Sequence, residues 1–367
     1  CFRNMLHDIN PNQVSLFDTT KYRSSPKSRV RSCFSHTYQD IISFENLLTS
    51  WREFLNGKRD REDVEEFSLD FTGNVIRLQH DLANQTYAHQ GYKAFKISDP
   101  KPRDIHKASV RDRLVHHAIY KVLYPYFDQK FIFDSYSCRK MKGTHRAINR
   151  FREYGRKVSD NNTKTVWILK CDISKFFANI DHTTLISILK QHIPDKHLIQ
   201  LLKEVIGSFQ TMGRSKVGLP LGNLTSQLLV NIYMNEFDQY IKRKVKAKYY
   251  IRYADDFVFL HNDKSYLSAL IPEIAKFLET RLALSLNMNK LCLKTLASGV
   301  DFLGWVHFPH HRVLRTSTKR RMFNKLKEYP SDATIISYLG LLSHGNTYKL
   351  KQRVSIPEFG IPSAGLV

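Results

Sequence analysis

No apolar run in the 367-residue chain is long enough to cross a bilayer as a helix, which sets aside an integral helical membrane protein. Cysteine is sparse: five residues, at 1, 33, 138, 171 and 292, with no C-x-x-C spacing among them. That excludes a zinc ribbon or a thioredoxin-type redox motif, and reduced thiols in a cytoplasmic setting are expected. The sixteen histidines form no H-E-x-x-H or zinc-finger pattern. His116-His117 and His310-His311 therefore read as surface or phosphate-facing groups rather than metal ligands. There is no internal repeat or low-complexity tract, and no signal-peptide pattern follows the first residue, Cys1. Negative charge is the scarcest property. Asp and Glu number 34 against 57 Lys and Arg, a formal net charge of +23. Solubility needs far less, so a polyanionic partner is implied, nucleic acid before an acidic membrane surface.

What the chain does contain is centred on Tyr249-Tyr-Ile-Arg-Tyr-Ala-Asp-Asp-Phe-Val-Phe-Leu260. β-branched and aromatic runs flank Asp255 and Asp256. A polar pair between two such runs predicts a tight hairpin, here without the usual Asn-Gly or Asp-Gly turn. Adjacent carboxylates repel, and half-burying them is costly unless a cation sits beside them. Taken alone, the pair is better explained as a solvated turn. A third acid changes the balance. Thr165-Val-Trp-Ile-Leu-Lys-Cys171 predicts a buried strand, and Asp172 ends it. Three carboxylates at the ends of neighbouring strands make an oxygen cage suited to Mg²⁺, with positions left for water and phosphates. Two metals so held activate a hydroxyl and stabilise a leaving pyrophosphate.

Tyr253-Ala-Asp-Asp256 and Asp172-Ile-Ser-Lys-Phe-Phe177 together resemble the palm of a reverse transcriptase, and the resemblance extends over roughly residues 60 to 352. It implies an α+β right-hand polymerase: fingers, a palm built on an antiparallel sheet, and a helical thumb. The expected divisions are a basic arm and helix (1–57), fingers (58–165), palm (166–308), thumb (309–353) and tail (354–367). The implied activity is RNA-directed DNA synthesis. Two Mg²⁺ ions are implied on Asp172, Asp255 and Asp256, with the Ile173 carbonyl assisting. The implied partners are a template RNA, a DNA primer or cDNA, and dNTPs. No endonuclease, ribonuclease H or protease segment is recognisable.

Other segments take their roles from the same resemblance. Residues 93–106 alternate about a Pro-containing turn and predict a hairpin. Lys96 and Arg103 on it match a Lys and an Arg that clamp the incoming triphosphate. The basic loop from Ser135 resembles a template-facing segment, with Arg139, Lys140, Lys142 and Arg146 on the phosphates. Phe177 matches the aromatic that excludes a 2′-hydroxyl, although by pattern alone a core Phe is the stronger reading. Lys290 matches a lysine that protonates pyrophosphate, and a solvated lysine fits the pattern about as well. Phe302-Leu303-Gly304 resembles the primer grip, and Lys319, Arg320 and Arg321 lie on a basic thumb helix expected to bind duplex. Helices are also predicted over Tyr38–Asn56, over the stretch from Val64 to Leu82, and from Val110 to about Tyr124. A basic, Ser/Pro-interrupted arm from Lys21 to Arg31 precedes them.

Where the family usually reads Q-G-x-x-x-S-P, this chain reads Leu221-Gly222-Asn-Leu-Thr-Ser-Gln227. Leu221 and Gln227 resemble the form found in diversity-generating retroelement enzymes. That form implies error-prone copying of template adenines and a small basic accessory protein. Related forms occur in phage-defence and retron-like enzymes, which copy their own structured noncoding RNA, and this second reading stays open. A non-catalytic RNA-binding scaffold has no need of three repelling carboxylates. A template-directed RNA polymerase is disfavoured by Phe177.

Overall fold

The computed structural model describes residues 33–98 and 102–354; the basic arm, Lys101 and the tail from residue 355 lie outside them. The chain folds as two compact units and passes between them three times. The first unit takes the described residues up to Lys130: α1 (Tyr38–Ile42), α2 (Phe44–Phe54), α3 (Glu62–Leu69), α4 (Phe71–Ala83), the hairpin β1 (Lys93–Ile97) and β2 (Arg103–Lys107), and α5 (Val110–Lys130). Phe131–Phe176 then contributes α6 (Thr144–Val158) and β3 (Trp167–Cys171) to the second unit. Phe177–Tyr233 returns to the first with α7 (His182–Lys190), α8 (Lys196–Gly207) and the start of α9 (Leu224–Arg243). The remainder belongs to the second unit. It holds β4 (Tyr250–Tyr253), β5 (Asp256–His261), α10 (Lys264–Leu282), β6 (Cys292–Thr295), β7 (Val300–Phe302), β8 (Trp305–His307), β9 (Arg312–Leu314), α11 (Thr316–Glu328), α12 (Asp332–Leu342) and α13 (Tyr348–Val354).

In the first unit, α2 and α3 pack on α5, eleven of whose residues are buried. The single helix predicted over 38–56 is two. Ser43 leaves the helical region and its hydroxyl caps α2 by accepting from the Asn46 N–H at 3.2 Å. The break rotates the apolar face: Leu47 and Phe54 are buried, while Phe44 and Leu48 are exposed. Asp70 divides the next predicted helix in the same way, accepting from the Gly73 N–H at 3.2 Å. α5 does not stop at Pro125. Proline removes one ladder bond, but Tyr124 and Phe127 are buried on either side of it, and their packing carries the helix on to Lys130.

The second unit is built on an antiparallel sheet of order β4-β5-β3-β6. Side chains alternate across it. Ile168, Ile251, Val258 and Leu260 meet Ala147, Phe151 and Tyr154 of α6 on one face. Phe257 and Tyr250 meet Phe237 of α9 on the other, where α10 also packs. A three-stranded ribbon, β7-β8-β9, leads into α11–α13. Those helices close a smaller core around Trp305, Met322, Leu326, Ile335 and Leu342. Among the described residues no helix is long and apolar enough to cross a membrane.

Candidate active site

β4 and β5 form the predicted hairpin, and its turn is Ala254-Asp255 between the paired Tyr253 and Asp256. Ala254 sits at φ +56°, a conformation L-residues adopt at some cost, so the flanking ladder has to hold it. β3 lies beside β5 with Cys171 opposite Phe257. The ladder ends there; Asp172 is the next residue, on the face that also carries Lys170, and its charge acts on Asp256. Asp172 and the distant Asp255-Asp256 pair are thus brought to one end of the sheet by strand pairing.

The electrostatics follow. Burial, then the neighbouring charge of Asp256, pushes the Asp255 carboxyl up to about 6. Burial raises Asp256 too, opposed by Lys170 and reinforced by Asp172. Asp172 is answered by a cation: Lys290 Nζ donates to its Oδ1 at 2.7 Å, which raises the lysine's own pKa. Asn287 adds a side-chain bond to the same Oδ1 at 3.3 Å and a backbone bond to the Asp172 carbonyl at 2.8 Å. Ile173 is buried and bridges Leu286. In donor type and charge the three carboxylates suit a hard divalent cation. As placed they are not a closed cage: among the described residues no three His, Cys, Asp or Glu side chains are gathered to hold a metal. Lys290 and Asn287 both engage Oδ1 of Asp172, and a cation there would compete with them or take Oδ2.

Beneath the turn lies a group the sequence reading missed. Arg252 is fully buried and donates from Nε and Nη2 to Asp238 at 2.8 and 2.7 Å. Its Nη1 reaches the Ala254 carbonyl at 3.1 Å, and Nη2 also meets Ser135 Oγ at 3.1 Å. Tyr250 donates its hydroxyl to the same Asp238 at 2.8 Å. Burial works against the Arg252 charge, and Asp238 more than offsets it, so the guanidinium stays charged. The available signal was an arginine inside an otherwise apolar strand, which demands a buried acid elsewhere. Lys170 was missed as well; its Nζ donates to the Asp301 carbonyl at 3.0 Å.

The other expected site residues are placed as follows. Lys96 and Arg103 are exposed on the β1–β2 hairpin, paired with Asp104 and Ile97 in its ladder. That hairpin is tied to the Leu221-Gly222 turn: the His106 N–H donates to the Leu221 carbonyl at 3.1 Å, and Asn223 Nδ2 to the His106 carbonyl at 2.8 Å. Gly222, at φ +102°, packs so close that a Cβ would meet the Ile105 side chain at 2.8 Å. Gln227 follows in the first turn of α9. Phe177 is half-buried in the first unit, its carbonyl accepting from the Leu219 N–H at 2.8 Å, while Phe176 is the core residue of the pair. Arg139 and Lys142 spend bonds on the carbonyls of their own loop, at Ile132 and Phe133; Lys140 and Arg146 are exposed. Phe302 is fully buried against Phe151, which leaves Leu303 and Gly304 at the β7–β8 turn. Lys319, Arg320 and Arg321 lie on α11.

Comparison with known proteins shows the family. The family model described as reverse transcriptase (RNA-dependent DNA polymerase) matches residues 96–307. Protein YkfC of Escherichia coli K12 is 28% identical over 270 residues, 63% of this chain and 67% of that protein. The group II intron-encoded protein LtrA of Lactococcus lactis subsp. cremoris is 24% identical over 266 residues, 70% of this chain but only 42% of LtrA. The fold is similar to that of apo telomerase from Candida tropicalis, with a TM-score of 0.51 and 11% identity over 73% of this chain and 56% of that one. With its α+β fold and its family match over more than half its length, the chain belongs to the reverse transcriptase family.

Proposed function

We propose that this protein synthesises DNA on an RNA template, with Asp172, Asp255 and Asp256 as its catalytic carboxylates. What supports the proposal is the pairing of β3 with β5 as far as Cys171 opposite Phe257, with Asp172 the next residue on one strand and Asp256 the preceding one on the other; burial and the charge of neighbouring acids raise both tip carboxyls. Acids so crowded are costly to the fold and make sense as ligands. Two Mg²⁺ ions, when bound, would offset that charge and favour the primer 3′-oxygen as nucleophile. The chain's own part is to position: the β-ladder fixes the carboxylates and Arg252 braces the turn through the Ala254 carbonyl. Lys290, protonated at neutral pH, is assigned to the leaving pyrophosphate. Lys96 and Arg103 are assigned to the triphosphate and Phe177 to sugar discrimination, on the motifs they match.

Within the family, Leu221 and Gln227 support a diversity-generating retroelement enzyme copying a structured RNA with a small basic accessory protein. The test is to sequence cDNA made by the protein on the RNA that co-purifies with it. Substitutions concentrated at template adenines are expected. Faithful copies would reject this subtype in favour of a retron-like or defence enzyme, and absence of any cDNA would reject the polymerase assignment.

A further inference from the structure

The second unit contains a polar cavity of about 370 Å³, away from the carboxylate turn. α6 supplies Asn149 and Arg152, the β8–β9 turn His310 and His311, β9 Arg312, and the loop after α12 His344. It lies at the opposite end of β8 from the Leu303-Gly304 turn. No acid is among the residues that line it.

Arg312 is only 7% exposed, yet its bonds go to neutral acceptors: Nε donates to the His344 carbonyl and Nη2 to Asn149 Oδ1 at 2.9 Å. Nη1 is buried and has no partner. Burial and the charge of Arg152 both weaken the Arg312 cation. The contrast with Arg252, fully buried and answered by Asp238, shows what is missing at Arg312: a counter-anion. Gly345 lies flat on Trp305, where a Cβ would meet the ring at 2.0 Å, and His145 stacks on His344 with centroids 3.6 Å apart.

We propose that this cavity is a phosphate-binding site, in which Arg152 takes the phosphate oxygens, Arg312 behind it supplies an unanswered positive charge, and the imidazoles of His311 and His344 complete the shell. Planar guanidinium forks and ring N–H groups match phosphate oxygens. The phosphate could belong to a polynucleotide or be free, and the two sources are separable. The site does not depend on the polymerase assignment, because none of its residues is in the carboxylate centre.

The test is site-resolved chemical protection on the full chain, with phenylglyoxal for Arg152 and diethyl pyrocarbonate for His311, read by mass spectrometry at constant ionic strength. The probes are inorganic phosphate and a short single-stranded RNA. Protection by RNA alone identifies a polynucleotide phosphate; protection by inorganic phosphate as well identifies a free phosphate group. Either supports the site, and unchanged modification with both probes overturns it. Because Arg312→Ala risks misfolding, the variant is Arg152→Gln with Arg312→Lys. It should lose the protection of His311; if His311 stays protected, RNA covers it without using the cavity and the proposal fails. For an RNA ligand, Arg152→Gln alone should reduce the slope of log K against log salt by about 0.7, one phosphate contact. Asp255→Asn should leave the protection intact.

Discussion

Arg252 and Asp238 offer the sharpest energetic test of how the carboxylate turn is held. Both side chains are fully buried, and three hydrogen bonds join them. Arg252→Met strands a buried carboxylate and frees the Ala254 carbonyl; Asp238→Leu strands a buried guanidinium and the Tyr250 hydroxyl. Removing one partner of a buried pair costs about 3–5 kcal/mol, because the other charge stays desolvated and unanswered. The double variant strands no charge. It leaves only neutral groups, the Ala254 carbonyl and the Ser135 and Tyr250 hydroxyls, at about 1–3 kcal/mol for each that finds no new partner. The double-mutant cycle should therefore show a coupling of several kcal/mol, with the double variant well short of the two singles combined. Urea unfolding followed by near-ultraviolet circular dichroism reads it, since the Tyr250, Phe257 and Phe259 rings pack beside the pair. Additivity within about 0.5 kcal/mol would show that the two charges do not depend on each other. Arg252→Lys keeps a charge but has no fork to reach Asp238 and Ala254 together, so it should lower polymerase turnover more than its stability loss explains.

Two further outcomes follow from the structure. His307 is buried and held neutral, its pKa pushed down to about 4 chiefly by burial. The unfolded chain therefore takes up this proton first as pH falls below about 6.5. Stability should drop between pH 6.5 and 4 by about 3 kcal/mol relative to His307→Gln and then level, as read by urea midpoints against pH; a parallel pH profile in the variant would contradict this. Phe177→Ala should narrow the dNTP over rNTP preference by on the order of tenfold to a hundredfold in single-nucleotide incorporation, and an unchanged preference would remove the gate assignment.

The elements that set the active site were legible because their signals are local. Two aromatic and β-branched runs around a polar pair can hardly be anything but a hairpin, and an acid ending an apolar run marks a strand terminus. What the sequence could not show was decided by packing. Ser43 and Asp70 can sit in a helix or cap one, and only the buried face reveals which. Pro125 reads as a stop until α5 is seen packed through it. Phe302 reads as part of an exposed grip, but its ring belongs to the core, and the turn beyond it is what solvent meets. The Arg252–Asp238 pair and the cavity around Arg312 each join segments far apart in the chain, so no local pattern announces them.

The proposed catalysis rests on the three carboxylates acting as one centre. Single-turnover incorporation of one dNTP on a primed RNA template, comparing the protein with Asp255→Asn, tests this most directly. Loss of one charge from the centre should slow the chemical step by about 10³-fold or more while primed-template affinity changes by less than about twofold. Incorporation at an undiminished rate by Asp255→Asn would contradict it.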